Sequence, residues 1–160
     1  MTVVGVTGHS DLTEPTLALV RTALDKELSS HSGTELTGLT CLARGADQVF
    51  ADAVLAVGGA LHVVVPAADY FDRVTDPVDR RRCDEYLRRA AATEQMPFET
   101  ANREAYDAAS RHLVDRCKTL VAVWDGSQDS GTGHAVQYAR RAGKQTVVIW
   151  PDGANRRSSR

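Results

Sequence analysis

The stretch 120–139, Leu-Val-Ala-Val-Trp-Asp-Gly-Ser-Gln-Asp-Ser-Gly-Thr-Gly-His-Ala-Val-Gln-Tyr-Ala, constrains this chain more than any other. Residues 120–124 are an apolar run of strand length that stops at Asp125-Gly126. A Ser/Gly/Thr loop follows, and a helical pattern resumes near Gly133. A strand that passes through a glycine loop into a helix sets the helix's unpaired N–H groups, and the positive end of its dipole, just beyond the strand's carboxyl end. A phosphate or a carboxylate suits that position.

The same pattern appears twice more. Residues 3–6 are a β-branched run leading into Thr7-Gly8-His9-Ser10-Asp11. Thr13 is placed to cap the next helix, Leu17, Val20, Leu24 and Leu28 make its apolar stripe, and the polar residues 29–33 end it. Residues 36–42, interrupted by Gly38, lead into Ala43-Arg44-Gly45-Ala46-Asp47; Val49, Phe50, Ala53 and Val57 then repeat with helical spacing up to Gly58-Gly59. Residues 61–65 predict a strand closed by Pro66, and an irregular connection over 67–77 follows. Helices are predicted over 78–95 and 99–117, the second with an alanine-rich apolar side suited to a sheet or to a partner, and a last strand over 145–150. Every predicted strand is continuously apolar rather than alternating. That implies a parallel sheet covered on both faces, with ligands at the carboxyl ends of its strands. The expectation is therefore an α/β, three-layer Rossmann-like fold with a mainly parallel sheet covered by helices on both faces. Its strand order is left open by the pattern.

A chain of 160 residues, 42% of them hydrophobic, supplies one ordinary core, so a single domain is expected over 1–151. Residues 152–160, with three arginines and two serines, are expected to be a flexible basic tail. A formal net charge of −2 gives no footprint of a dedicated duplex-binding protein, which leaves nucleic acid unsupported as a partner. Cys41, Cys83 and Cys117 lack disulfide-framework or zinc-site spacing, so neither a metal nor a cofactor is indicated. No apolar run approaches the roughly 18 residues of a membrane span, and the N-terminus enters a strand pattern directly. A cytoplasmic protein with no membrane partner is the expectation.

The loops after the first, second and fourth predicted strands fall on one edge of such a sheet and converge on one crevice. Val6-Thr7-Gly8-His9, Gly38-Leu39 with Ala43-Arg44-Gly45-Ala46-Asp47, Val65-Pro66 with Asp69-Tyr70, Ala122-Val123-Trp124-Asp125-Gly126, and Gly131-Thr132 with Ala135 and Tyr138-Ala139 follow one another in order over about residues 3–150. Together they resemble the SLOG superfamily, which includes the Lonely Guy phosphoribohydrolases, once taken for lysine decarboxylases, and the DNA-processing protein DprA. The small stand-alone branch related to the YpsA proteins is the most similar. The resemblance implies a Rossmann-like domain that binds nucleotides or nucleotide-derived ligands through two glycine loops, often as a homo-oligomer. Carried over by position, Arg44 and Gly45 would hold one side of a phosphate and Gly131, Thr132 and Gly133 the other. Gly8, His9 and Asp47 would complete the site.

One departure bears on mechanism. Lonely Guy enzymes carry Pro-Gly-Gly-x-Gly-Thr-x-x-Glu, and this chain has Gly133-His134-Ala135 where the acidic side chain belongs. His134 is a candidate general acid or a plain ligand contact. Asp125 is a candidate acceptor for ribose hydroxyls or an Asp-Gly turn residue. Arg80, Arg81, Arg82, Arg88 and Arg89 read as a solvated helix face, or alternatively as a phosphate lid or an oligomer contact. Tyr70 and Phe71 are candidates either to stack on a base, with Asn102 and Tyr106 facing the same crevice, or to anchor their loop in the core. The leading function is a sensor or binding module for a nucleotide-derived small molecule. The alternatives are a nucleoside 5'-monophosphate phosphoribohydrolase and, less favoured, single-stranded DNA binding.

Overall fold

The computed structural model describes residues 2–31 and 35–158. It is built around a six-stranded sheet, every pairing of which is parallel: β1 (Thr2–Gly8), β2 (Leu36–Thr40), β3 (Ala60–Val65), β4 (Ala92–Gln95), β5 (Thr119–Val123) and β6 (Gln145–Ile149). Five helices connect them: α1 (Glu14–Ser29), α2 (Ala46–Ala56), α3 (Pro77–Arg89), α4 (Arg103–Arg116) and α5 (Gly131–Arg141). The strand order is β4-β3-β2-β1-β5-β6, so β1 is central and the order reverses between β1 and β5. Ligands of open α/β sheets bind outside the strand ends at such a reversal.

Side chains of a strand alternate between faces, and the core divides accordingly. Val4, Val6, Val121 and Val123 join Val20, Leu24 and Leu28 of α1 and Phe50 and Val54 of α2 in one cluster. Leu61, Val63 and Val65 meet Tyr86 of α3 beside it. Leu39 and Leu120 pack with Leu113, Val114 and Cys117 of α4 and Ala139 of α5 on the other face. The expected three-layer α/β architecture is thus present, with α1, α2 and α3 opposite α4 and α5. None of the described helices is long and apolar enough to cross a membrane.

Three element boundaries differ from expectation, each for a physical reason. The predicted helix over 78–95 ends at Arg89, and residues 92–95 form β4. Ala, Glu and Gln favour helix locally, but the outer edge of β3 needs backbone partners. Ala91 N–H donates to Leu61 and Met96 N–H to Val65, bracketing a strand whose four side chains are all exposed. The second predicted helix begins at Arg103 instead of near 99, because Asn102 is its N-cap and accepts from Ala105 N–H at 2.9 Å. β2 stops at Thr40 short of the predicted 42, since Leu42 takes the left-handed conformation with φ 60° and its N–H donates to Thr40 Oγ1. The polar stop expected over 29–33 falls partly outside the described residues; α1 ends at Ser29 with Ser30 as cap.

Composition marks 152–160 as a flexible tail. Its described part, to Ser158, lies across the β1–α1 loop. Asn155 N–H donates to Thr16 Oγ1 at 2.8 Å, Thr13 N–H to Asn155 at 3.2 Å and Arg157 N–H to Asp11 at 2.6 Å. Leu12 and Arg156 form an antiparallel bridge.

Candidate functional site

The loops after β1, β2 and β5 converge as the sequence implies, and beyond them lies a cavity of about 730 Å³. Gly8, His9, Asp47, Gly131, Thr132 and His134 line it. Four of the ten candidate residues, Arg44, Gly45, Asp125 and Gly133, do not.

The α5 side of the crevice is held by its own loop. Ser130 caps α5, its Oγ accepting from Gly133 N–H at 3.0 Å and donating to the Ser127 carbonyl at 3.0 Å. The indole N–H of Trp124 donates to the same carbonyl at 2.8 Å. A Cβ on Gly133 would lie 2.6 Å from the Ser127 carbonyl oxygen, so this glycine permits the loop to close on the helix instead of touching a ligand. Gly131 is exposed, with open space where a Cβ would be. The Gly131 and Thr132 N–H groups donate to none of the described residues, as the first turn of a helix ordinarily leaves them.

The loop after β2 is tied both to the β1 loop and to α3. Gly45 has φ 85°, and a Cβ there would lie 2.7 Å from the His9 carbonyl oxygen, which accepts from Ala46 N–H at 3.2 Å. Gly45 therefore brings the β1 and β2 loops together. Arg44 turns away from the crevice to Asp79 of α3, at 2.8 Å. Arg44 is thus engaged in an exposed ion pair between the β2–α2 loop and α3.

Asp47 is 7% exposed at the crevice floor. Burial pushes its carboxyl up to about 7, against the opposing hydrogen bonds from the Ala43 and Cys41 backbone. Asp125 sits behind His9, whose Nε2 is 3.0 Å from Asp125 Oδ1 and 3.2 Å from its backbone N. Burial lowers the His9 pKa, opposed by the Asp125 hydrogen bond. Desolvation raises the Asp125 pKa, but the hydrogen bonds from Ser127 and His9 together outweigh it and hold the carboxyl well below the usual range. Asp125 thus orients His9 and closes its own turn onto Ser127 N–H at 2.9 Å. Asp125→Ala is expected to lower stability at pH 7 by about 1–2 kcal/mol. A depressed folded-state pKa gives stability that is full above an unfolded value near 4 and disappears as pH falls through the folded value. The wild-type advantage in thermal unfolding should accordingly shrink in strong acid, and an equal gap at pH 7 and pH 2 would refute this role.

Charge enters from residues that motif reasoning missed. Arg103, Arg111, Arg141 and Arg156 line the crevice, against the carboxyls of Asp47 and Asp107. The signal was in the spacing: Arg103, Asp107 and Arg111 recur every four residues and make one face of α4. Of the aromatic candidates, Tyr70 and Tyr106 both line the crevice, ring centroids 6.1 Å apart, while Phe71 packs on Tyr70. Asn102 is used as a cap. In the arginine cluster of α3, Arg80 bonds the Phe71 carbonyl and Arg88 pairs with Glu85, and none of these arginines faces the main crevice. The alanine-rich side of α4 is occupied internally, with Ala105 and Ala109 fully buried.

No protein-family profile and no curated protein matches this sequence. Solved structures do. DNA processing protein A (DprA) from Streptococcus pneumoniae superposes with a TM-score of 0.74 at 19% identity, over 96% of this chain and 52% of that one. DprA from Helicobacter pylori, described for its single-stranded DNA binding mode, gives 0.71 at 14%, over 95% and 66%. At these identities the likeness shows a shared α/β fold. The molybdenum cofactor carrier protein of Chlamydomonas reinhardtii superposes with a TM-score of 0.59 at 20% identity, over 92% of this chain and 76% of that one. The chain spans about half the length of the pneumococcal DprA and two thirds of the Helicobacter one.

Proposed function

We propose that this protein binds a phosphate-bearing, nucleotide-derived small molecule at the carboxyl ends of β1, β2 and β5, as a sensor or binding module. The observation that carries this reading is a cavity of about 730 Å³ on which the uncommitted Gly131 and Thr132 N–H groups and four arginines converge. Small-molecule sites typically fall between about 300 and 1,000 Å³. A phosphate at the start of α5 meets backbone donors, the helix dipole and guanidinium groups together. Tyr106, 42% exposed, offers a ring for a base farther along α4. Asp47, buried and largely neutral below about pH 7, does not oppose an anion as an ordinary carboxylate would. The structural neighbours, described as a cofactor carrier and as binding single-stranded DNA, support a binding use of this fold without naming the occupant here.

The test is calorimetry with AMP, ADP-ribose, NAD and cyclic nucleotides, on the wild-type protein and on Gly131→Asp. An acidic residue in the first turn favours a helix by about 0.3–1 kcal/mol, so the variant should fold at least as well. Its carboxylate occupies the open space where the anion would sit, and binding should fall at least about tenfold. Silence of the wild type across the panel, or undiminished binding by the variant, would overturn the reading. Chromatography of the same mixtures reports free base, the product a phosphoribohydrolase would release, and a labelled oligonucleotide reports strand binding.

A further inference from the structure

We infer that Arg156, carried by the C-terminal segment, is a ligand-binding residue that grips the anionic group of whatever occupies the crevice. This rests on the binding reading above.

Arg156 reaches the crevice because the segment that bears it pairs with the β1–α1 loop, through the Leu12–Arg156 bridge and the hydrogen bonds on either side of it. Its guanidinium is held in an uneven way. Nε donates to both Asp11 carboxylate oxygens, at 2.9 and 3.1 Å. One terminal nitrogen reaches Asp125 only at 3.5 Å, and the other donates to none of the described residues. A guanidinium anchored through Nε keeps the fork of its terminal nitrogens for a bidentate acceptor, and a phosphate is the acceptor that fork matches. The side chain is 35% exposed, so it is fixed by Asp11 and still open to a ligand. His9, which shares Asp125 with it, lines the same wall. Asp11 thereby serves as a positioning residue.

Arg157 provides the internal control. Its N–H and Nε bond the Asp11 and Leu12 carbonyls, so it fastens the same segment to the same loop, but it lies outside the crevice. A purely structural role for the segment predicts equal effects of the two arginines.

The experiment is titration of AMP and of inorganic pyrophosphate, at fixed ionic strength, into the wild-type protein, Arg156→Ala, Arg156→Lys, Arg157→Ala and Gly131→Asp, with thermal unfolding of each. Arg156→Ala is expected to weaken both ligands about tenfold or more, Arg156→Lys to recover part of that loss and Arg157→Ala to stay within about twofold of wild type. Equal weakening by the two alanine variants, or none by Arg156→Ala, overturns the assignment. Loss of binding in Gly131→Asp with full binding in Arg156→Ala leaves the crevice reading intact and removes only Arg156 from it. Absence of wild-type binding to either probe, alongside silence across the nucleotide panel, removes both.

Discussion

Gly45→Ala is expected to melt roughly 10 °C below the wild-type protein, taking about 2–4 °C per kcal/mol for a chain of this size. Two costs add. At φ 85° an alanine is in backbone territory that costs on the order of 1–3 kcal/mol for a residue with a Cβ. That Cβ would also lie 2.7 Å from the His9 carbonyl oxygen and 2.9 Å from Ser10 Cα, which are backbone atoms unable to swing aside. Relieving the clash means separating the β1 and β2 loops, with loss of the Ala46 N–H to His9 hydrogen bond. Gly45 lies outside the cavity, yet its replacement should also impair ligand binding by displacing His9. Thermal unfolding checks the first effect and calorimetry the second. A melting temperature within about 2 °C of wild type would mean that the two loops are not tied at this point.

Asp47→Asn should produce the second large effect, and its sign depends on pH. The carboxyl is raised from an ordinary value of 3.8 to about 7, because it is buried at the floor of the crevice. A group whose folded pKa is raised contributes stability that is full below its unfolded pKa and is lost as pH rises through the folded one. Wild-type stability should therefore carry a declining component from about pH 4 to pH 7. Asparagine keeps an acceptor for Ala43 N–H, which donates to Asp47 at 3.1 Å, and cannot ionise. Its stability profile should lack that component, so the variant gains on wild type as pH rises, by at most about 4 kcal/mol at pH 8 for a shift of this size. Urea unfolding at pH 4.5 and pH 8 measures the difference. Parallel profiles would show that Asp47 ionises as a surface carboxylate does.

Much of the sheet was legible because its strands are buried on both faces and read as continuous apolar runs, as in 61–65 and 120–124. β4 was not, since Ala92-Thr93-Glu94-Gln95 has the composition of a helix, and only the open edge of β3 makes it a strand. Loop convergence was legible as well, through glycines that mark close backbone approaches. What those glycines approach was not. Gly45 is pressed against the His9 carbonyl oxygen of the β1 loop and Gly133 against the Ser127 carbonyl oxygen of its own loop, and the sequence does not distinguish either from a phosphate contact. Arg44 shows the same limit: an arginine beside a glycine loop is equally suited to a ligand and to Asp79, and the geometry of α3 decides. Arg103, Arg111 and Arg156 escaped motif reasoning because they belong to helix faces and to a C-terminal segment, whose relation to the crevice exists only after folding.

The position of β1 in the sheet bears on how the chain is made. Val4 pairs on one side with Gly38 and on the other with Thr119, and Arg156 comes later still. Domains tend to fold as they leave the ribosome, N-terminal parts first. A nascent chain that has emerged only as far as β4 can build β4-β3-β2-β1, but the other flank of β1 then stays open, and its row of backbone groups is a template for pairing with another chain. The crevice has one wall at that stage. The second wall is complete only once β5, α5 and the segment bearing Arg156 have emerged, and until β5 docks the open flank of β1 is exposed to pairing with another chain.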